Sequence, residues 1–199
     1  MALLTRANAP WKNLGELVAD SKKRGAGAIT YASAGIGSIA YLYSELLAQT
    51  AGIELLHVPY KSSAAALTDL LAGQVDVVFD GATTAKAQLD AGLVRALAYS
   101  TGQRSSFLPD VPTMQEAGVN GFAQRTWFGI SVPAKTPAGV VERLSAATLA
   151  VNDLPAFRKE LAAAAHEPMK MEAAQFEQLI QGEYRQWGAI IPKIPKRAN

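Results

Sequence analysis

Between Ile29 and Ser100 the chain repeats one pattern: a short apolar run, a turn marked by glycine or serine, then apolar residues at helical spacing. The runs Ile29–Ala32, Leu55–Tyr60, Val75–Phe79 and Leu93–Ser100 read as strands. Helices read between them, from Gly37 or Ser38 through Ala48 to a stop near Gly52, from Ser62 or Ser63 to Leu71, and from Thr83 or Thr84 to Ala91. Gly73 and Gly92 are the natural ends of the last two. Strands joined through helices imply a mostly parallel sheet with helices on its faces.

The flanks are less regular. Ala2–Thr5 predicts a short strand. Asn13 and Glu16 have capping-box spacing before a helix from Leu14 to about Lys23, which Gly25 and Gly27 end. After Ser100 comes an irregular crossing segment, Arg104–Pro112. Thr113 and Glu116 form a second capping box for a short helix closed by Gly118. Thr126–Val132 reads as extended. Thr136 caps and Pro137 starts a helix to about Val151. Asp153 caps the next, with Pro155 in its first turn, ending near Ala165. In the last helix, Ala173–Trp187, the residues Phe176, Ile180, Tyr184 and Trp187 predict a core-facing stripe. Pro192 and Pro195 then stop regular structure. The pattern divides the chain at 1–24, 25–120 and 121–199. The last part holds one strand and three helices, too few to cover a sheet of its own, so it is expected to complete another lobe, in this chain or a partner.

Composition narrows the classes. Of 199 residues 49% are hydrophobic, so a packed core is expected and global disorder is not. The net charge is only +2, and Lys193, Lys196 and Arg197 read as a solvated terminus, not a nucleic-acid arm. There is no cysteine, which excludes disulfides, thiolate ligands and cysteine nucleophiles. No apolar stretch is long enough to span a membrane. Met1-Ala2-Leu3-Leu4-Thr5-Arg6 lacks the basic start and long apolar centre of an export leader. The expectation is a protein that stays inside, or one whose N-terminal portion is absent.

The candidate chemistry centres on Ser33-Ala34-Gly35-Ile36-Gly37-Ser38. A strand feeding a helix through glycines leaves main-chain N–H groups free at a helix start, with partial positive charge behind them. Ser33 and Ser38 add hydroxyls, and Ala34 to Gly37 offer amides. A small carboxylate, phosphate or polar neutral solute suits such a corner; a purely structural turn is the competing reading. Position 40 is Ala, so the dinucleotide pattern Gly-x-Gly-x-x-Gly is incomplete, and no lysine follows for a Walker loop. Asp80, at the same sheet edge, binds a ligand, holds its loop or caps the next helix; the sequence leaves these open. Tyr60, Lys61, Ser100 and Thr101 read as a polar rim. His57 reads as a satisfied strand histidine and His166 lies at a helix end. Two isolated histidines make a poor zinc site, and no Gly-x-Ser-x-Gly elbow occurs. No enzyme, metal or cofactor is expected. Trp127-Phe128-Gly129 lines a cleft or packs between lobes.

Taken together, Tyr31-Ala32-Ser33-Ala34-Gly35-Ile36-Gly37-Ser38, His57-Val58-Pro59-Tyr60-Lys61, Asp69-Leu70-Leu71-Ala72-Gly73, Val77-Val78-Phe79-Asp80, Leu108-Pro109-Asp110-Val111-Pro112-Thr113 and Trp127-Phe128-Gly129 resemble the substrate-binding proteins of tripartite tricarboxylate transporters, the TctC or Bug-type periplasmic receptors. The resemblance implies a two-lobed, periplasmic-binding-protein-like (type II) α/β clamshell that delivers a small carboxylate or related metabolite to a membrane permease. It implies ligand-binding roles for Ser33, Ala34, Gly35, Gly37, Ser38 and Asp80. Residues 1–24 become the residue of a first lobe and the hinge entry, 25–120 the α/β ligand-binding lobe, and 121–199 the return segment completing the first lobe. The sequence departs from the family at Tyr41, where a histidine is usual, at Ser62 for glycine and at Gly81 for asparagine. It also lacks most of the first lobe. Localisation is then periplasmic by resemblance, or cytoplasmic if Met1 is the true start. The expected partners are the solute, the permease, and either a second copy or a missing-lobe partner. An assembly module without ligand and a small hydrolase using the helix N-terminus remain the alternatives.

Overall fold

The computed structural model describes residues 1–194; Pro195, Lys196 and Arg197, singled out above, lie outside the described residues. The chain divides into two units, Met1–Arg125 and the residues from Thr126 onward.

In the first unit, five strands form one sheet: β1 (Ala2–Arg6), β2 (Ile29–Ser33), β3 (Leu55–Pro59), β4 (Val77–Asp80) and β5 (Val94–Tyr99), in the order β3-β2-β4-β1-β5. β2 pairs in parallel with β3 and β4. β1 runs antiparallel to both β4 and β5. Four strands therefore point the same way and one opposes them. The sheet is mixed, with two parallel and two antiparallel pairings, whereas the strand–helix alternation implies a mostly parallel one; the insertion of β1 makes the difference.

Four helices accompany the sheet: α1 (Leu14–Arg24), α2 (Ile39–Ala51), α3 (Ser63–Ala72) and α4 (Ala82–Asp90). Their ends follow local chemistry. The Oδ1 of Asn13 accepts the Glu16 N–H at 2.9 Å, Ser62 Oγ accepts the Ala65 N–H at 3.2 Å, and Gly52 and Gly73 close α2 and α3 in left-handed conformation. β4 begins two residues later than Val75 because Asp76 has other work. Its carboxylate accepts the Thr30 N–H at 2.8 Å and the Thr30 hydroxyl at 2.9 Å, tying the start of β2.

Alternate residues of the strands face opposite layers. Ala2, Leu4, Ala32 and Val78 pack with Ala66 and Leu70 of α3 and Ala85 of α4. Phe79 meets Tyr43 of α2 edge-on, and stacks on Phe122 at 6.1 Å. The sequence reading set residues 1–24 apart and broke the chain after 120. In the structure β1 lies inside the sheet, with Leu3 and Leu4 fully buried. Phe122 is also fully buried, and Gln124 donates its N–H to the Ser100 carbonyl at 2.6 Å. These contacts carry the first unit on to Arg125.

Thr113 and Glu116 exchange the expected bonds, at 2.7 and 3.1 Å, yet the segment forms turns instead of a helix. Glu116 also pairs with Arg104 at 2.9 Å, and Arg104 reaches the Pro109 carbonyl. This clasp fixes the crossing segment where a helix would need longer continuation.

In the second unit, α5 (Ala138–Val151), α6 (Pro155–Ala163) and α7 (Ala173–Ile190) form as expected, but none buries a residue. Phe176 and Trp187 are half-buried, while Tyr184 is 78% exposed, so the stripe is not a core. Residues 126–133 carry no strand, since an extended segment becomes one only beside a ladder partner. Asp153 does not cap α6; it pairs with Arg158 and Lys170. α6 ends two residues early, where Ala165 adopts a φ of 52° and His166 donates its N–H to the Leu161 carbonyl at 2.8 Å. A short 3-10 turn, Ile191–Lys193, continues past α7 through Pro192.

Truncating Phe122 removes a fully buried ring packed against Phe79 and Tyr43. Phe122→Ala is expected to lower the unfolding free energy of the first unit by about 3–5 kcal/mol, read by urea unfolding.

Candidate functional site

β2 ends at Ser33 and α2 begins at Ile39, with Ser38 as its N-cap. The intervening turn stands open: Ala34, Ile36 and Gly37 are exposed, Ile36 to 61%. Gly35 and Gly37 hold φ values of 102° and 82°, a region that side chains with a Cβ rarely adopt. These two positions require glycine for conformation alone, since an added Cβ meets nothing within 4 Å.

The donors of the elbow are partly spent. Ser38 Oγ accepts the Tyr41 N–H at 3.3 Å, and Ser38 donates its own N–H to the Gly35 carbonyl at 3.2 Å. Gly35 donates its N–H to Ser33 Oγ at 3.1 Å. Among the described residues, the Ile36 and Gly37 amides meet no internal acceptor. Those amides belong to exposed residues just ahead of α2, at the positive end of its dipole, while Ala40 and Tyr41 in its first turn are buried.

Ser33 itself is turned inward and only 1% exposed. Its Oγ lies 2.7 Å from His57 Nε2. The pair has the composition of a nucleophile and base, but the buried hydroxyl is out of reach of a solute carbonyl. The His57 ring is stacked on Tyr31 and lies 4.9 Å from Tyr41. Sequence reasoning took His57 as satisfied and missed its partner. The signal lies in strand register: Tyr31 pairs with His57, and Ser33, two residues on, shares that face.

Asp80 ends β4 at the same sheet edge. Its Oδ1 accepts the Gly81 N–H at 2.7 Å, so the carboxylate holds the turn into α4, whose N-cap is Gly81. Burial raises the Asp80 carboxyl above its usual range, opposed by the Gly81 bond and the Met1 ammonium. The expected polar rim is largely spent. Ser100 is fully buried, accepting from the Met1 ammonium at 2.8 Å and donating to the Gln124 carbonyl at 2.9 Å. The Tyr60 hydroxyl donates to Asp69 at 2.7 Å; burial and that carboxylate push its phenol up to about 12. Thr101 donates to the Gln103 carbonyl. Among the described residues there is no group of three side chains able to hold a metal ion.

A model described as Tripartite tricarboxylate transporter family receptor matches residues 1–195. The chain belongs to this receptor family. Three solved structures of similar chains agree with that assignment. R. palustris Rpa4515 with adipate superposes with a TM-score of 0.85 at 28% identity, over 95% of this chain and 63% of that one. The periplasmic binding protein BugD gives 0.83 at 33%, over 97% and 65%. MatC (Rpa3494) from Rhodopseudomonas palustris with bound malate gives 0.81 at 30%, over 96% and 65%. The receptor-family chain thus spans under two thirds of these structures, and 43% and 57% of the first two curated relatives it matches. Like those receptors it has a periplasmic-binding-protein-like α/β fold with a helix-flanked sheet.

A carboxyl whose folded pKa is raised contributes stability at low pH and loses it as pH rises through that pKa. Asp80→Asn keeps an acceptor for Gly81 and removes the buried charge. It is expected to raise the urea midpoint at pH 7, with the difference from the parent chain shrinking as pH falls through the raised Asp80 pKa and gone below about pH 4. An equal difference at both pH values refutes the burial argument.

Proposed function

We propose that the chain binds a small carboxylate at the Ser33–Ser38 elbow, as the solute-receiving part of a tripartite tricarboxylate-type transporter in the periplasm. The family match across residues 1–195 carries the reading, and the bound adipate and malate of two similar receptors support the ligand class. Ala34, Gly35, Gly37 and Ser38 form the anion-facing turn. Ser33 holds that turn from beneath, and Asp80 braces the neighbouring strand end. A carboxylate needs donors aimed along its in-plane lone pairs; exposed amides at a helix start supply donors without a counter-charge.

The remaining half of the clamp comes from chain that the similar structures have and this one does not span, or from a second copy. The unburied faces of α5, α6 and α7 support that part of the reading. A membrane permease is the proposed recipient of the solute.

A second reading, an assembly module without a ligand, draws on one observation. Phe128, Ile130, Leu144, Met169, Met171 and Phe176 line an apolar groove of about 140 Å³ in the second unit, with Phe128 85% exposed.

Calorimetric titration with adipate, malate and a panel of di- and tricarboxylates separates the two. The receptor reading expects one-to-one heat for at least one acid. Gly37→Ala, which forces a Cβ into positive φ at a cost of about 1–2 kcal/mol, is expected to weaken that binding roughly tenfold. Silence across the panel, with self-association in sedimentation, favours the assembly module.

A further inference from the structure

Of the rim residues, Tyr60, Ser100 and Thr101 have their hydroxyls bonded within the fold. Lys61 does not share that fate. It stands exposed in the turn between β3 and α3, and among the described residues its ammonium has no acid or carbonyl partner. Other cations that follow or precede the strands at this edge are occupied. Arg104 pairs with Glu116, Lys86 with Asp90, and the Met1 ammonium donates to Ser100.

Sheet order places this lysine beside the elbow. β3, β2 and β4 are neighbours in that order, so the turn after β2 lies between the turns after β3 and β4. Ser33 pairs with Pro59, and Tyr60 donates its N–H to the Ser33 carbonyl at 2.9 Å. The two strands therefore stay together to the point where the elbow leaves the sheet, and Lys61 is the next residue. On the other flank Ala32 pairs with Val78, and counting on along both strands sets Asp80 level with Ala34. Adjacent strands lie about 4.8 Å apart. The elbow thus has an unpaired cation one strand away on one side and an acid one strand away on the other.

We propose that Lys61 is a specificity-determining residue of the elbow: with one carboxylate on the Ile36 and Gly37 amides, it receives the second carboxylate of a diacid, so that the site prefers small dicarboxylates to monocarboxylates of the same length. Main-chain amides at a helix start receive any carboxylate alike, so discrimination falls to a group placed for the far end of the solute. A second carboxylate turned toward β4 meets Asp80, a like charge. Turned toward β3 it meets Lys61. The same arrangement fixes the direction in which a diacid lies across the sheet edge. A compact charge on a flexible four-carbon stem also follows acids of different length.

The proposal rests on the carboxylate reading of the elbow, and the experiment separates the two. Calorimetric titration of the full chain compares two matched pairs, adipate with hexanoate and malate with 2-hydroxybutyrate. In each pair a methyl group replaces one carboxylate. The diacid of at least one pair is expected to bind about fivefold more tightly than its monoacid at low salt, the size of an exposed ion pair. That preference is expected to shrink as salt is raised to about 0.5 M. Lys61→Gln is expected to bring the two acids of the pair to about equal affinity, and Lys61→Arg to keep them apart. Lys61 lies outside every helix and strand, so both variants are expected to retain the parent urea midpoint.

Equal affinity for both members of each pair in the parent chain overturns the role of Lys61 and leaves the receptor reading in place. So does a diacid preference that survives Lys61→Gln. Equal loss of both acids in Lys61→Gln makes the lysine a general attractor of anions and overturns the selectivity. If neither monoacids nor diacids bind the parent chain, the receptor reading and the proposal fall together.

Discussion

One antiparallel ladder holds the carboxyl edge of the sheet in place. β4 and β5 run in the same direction, and β1 lies between them, pairing Leu3 with Phe79 on one side and with Ala98 on the other. Those backbone groups are buried, and a buried amide or carbonyl without a partner is costly. Without β1 the two strands would each face an empty channel, and β5 would have no ladder partner. β1 sets the end of β4, with Ala2 opposite Asp80, and the direct pairing of β2 with β4 carries that level to the elbow. Asp76 secures the opposite end of the same strands through Thr30, so β2 is tied at its start and free only where it turns.

Much of this was written in local chemistry and could be read directly. Ser38 and Ser62 cap where serines before apolar runs should, and Gly52 and Gly73 stop helices as left-handed residues do. The elbow itself was legible for the same reason: glycines at positive φ leave few other conformations. What escaped was non-local. The antiparallel insertion of β1 depends on partners some eighty residues away in sequence. The bond from Ser33 to His57 depends on the register of β2 against β3, which no single segment states. Ser100 looked like a rim hydroxyl because its strand ends at the right edge, but a return segment through Phe122 and Gln124 buries it. Asp153 looked like a cap because of Pro155, and two cations nearby took its carboxylate instead.

The two units show how differently periodicity and packing contribute. In the first, strands and helices bury each other and the pattern becomes a core. In the second, helices as long as α7 form from their own spacing and from the Glu172–Gln175 exchange at its start, yet none of the three buries a residue. Trp127 and Phe176 pack edge-to-face at 4.9 Å, a contact within the unit that organises one end of the groove. Met169 and Met171 on its wall are unbranched and adaptable, which suits a surface whose shape is completed from outside.

The amides exposed at the elbow belong to the main chain, and this has a consequence for how the protein can change over generations. Any residue but proline carries the same N–H group. Substitutions at Ala34 and Ile36, whose side chains stand in solvent, can alter the size and greasiness of the mouth while the donors stay where they are. Gly35 and Gly37 have no such latitude, because the turn itself is theirs. With the elbow as the proposed solute site, diversification of solute preference is thereby uncoupled from loss of anion affinity, and drift is channelled into two of the four turn positions.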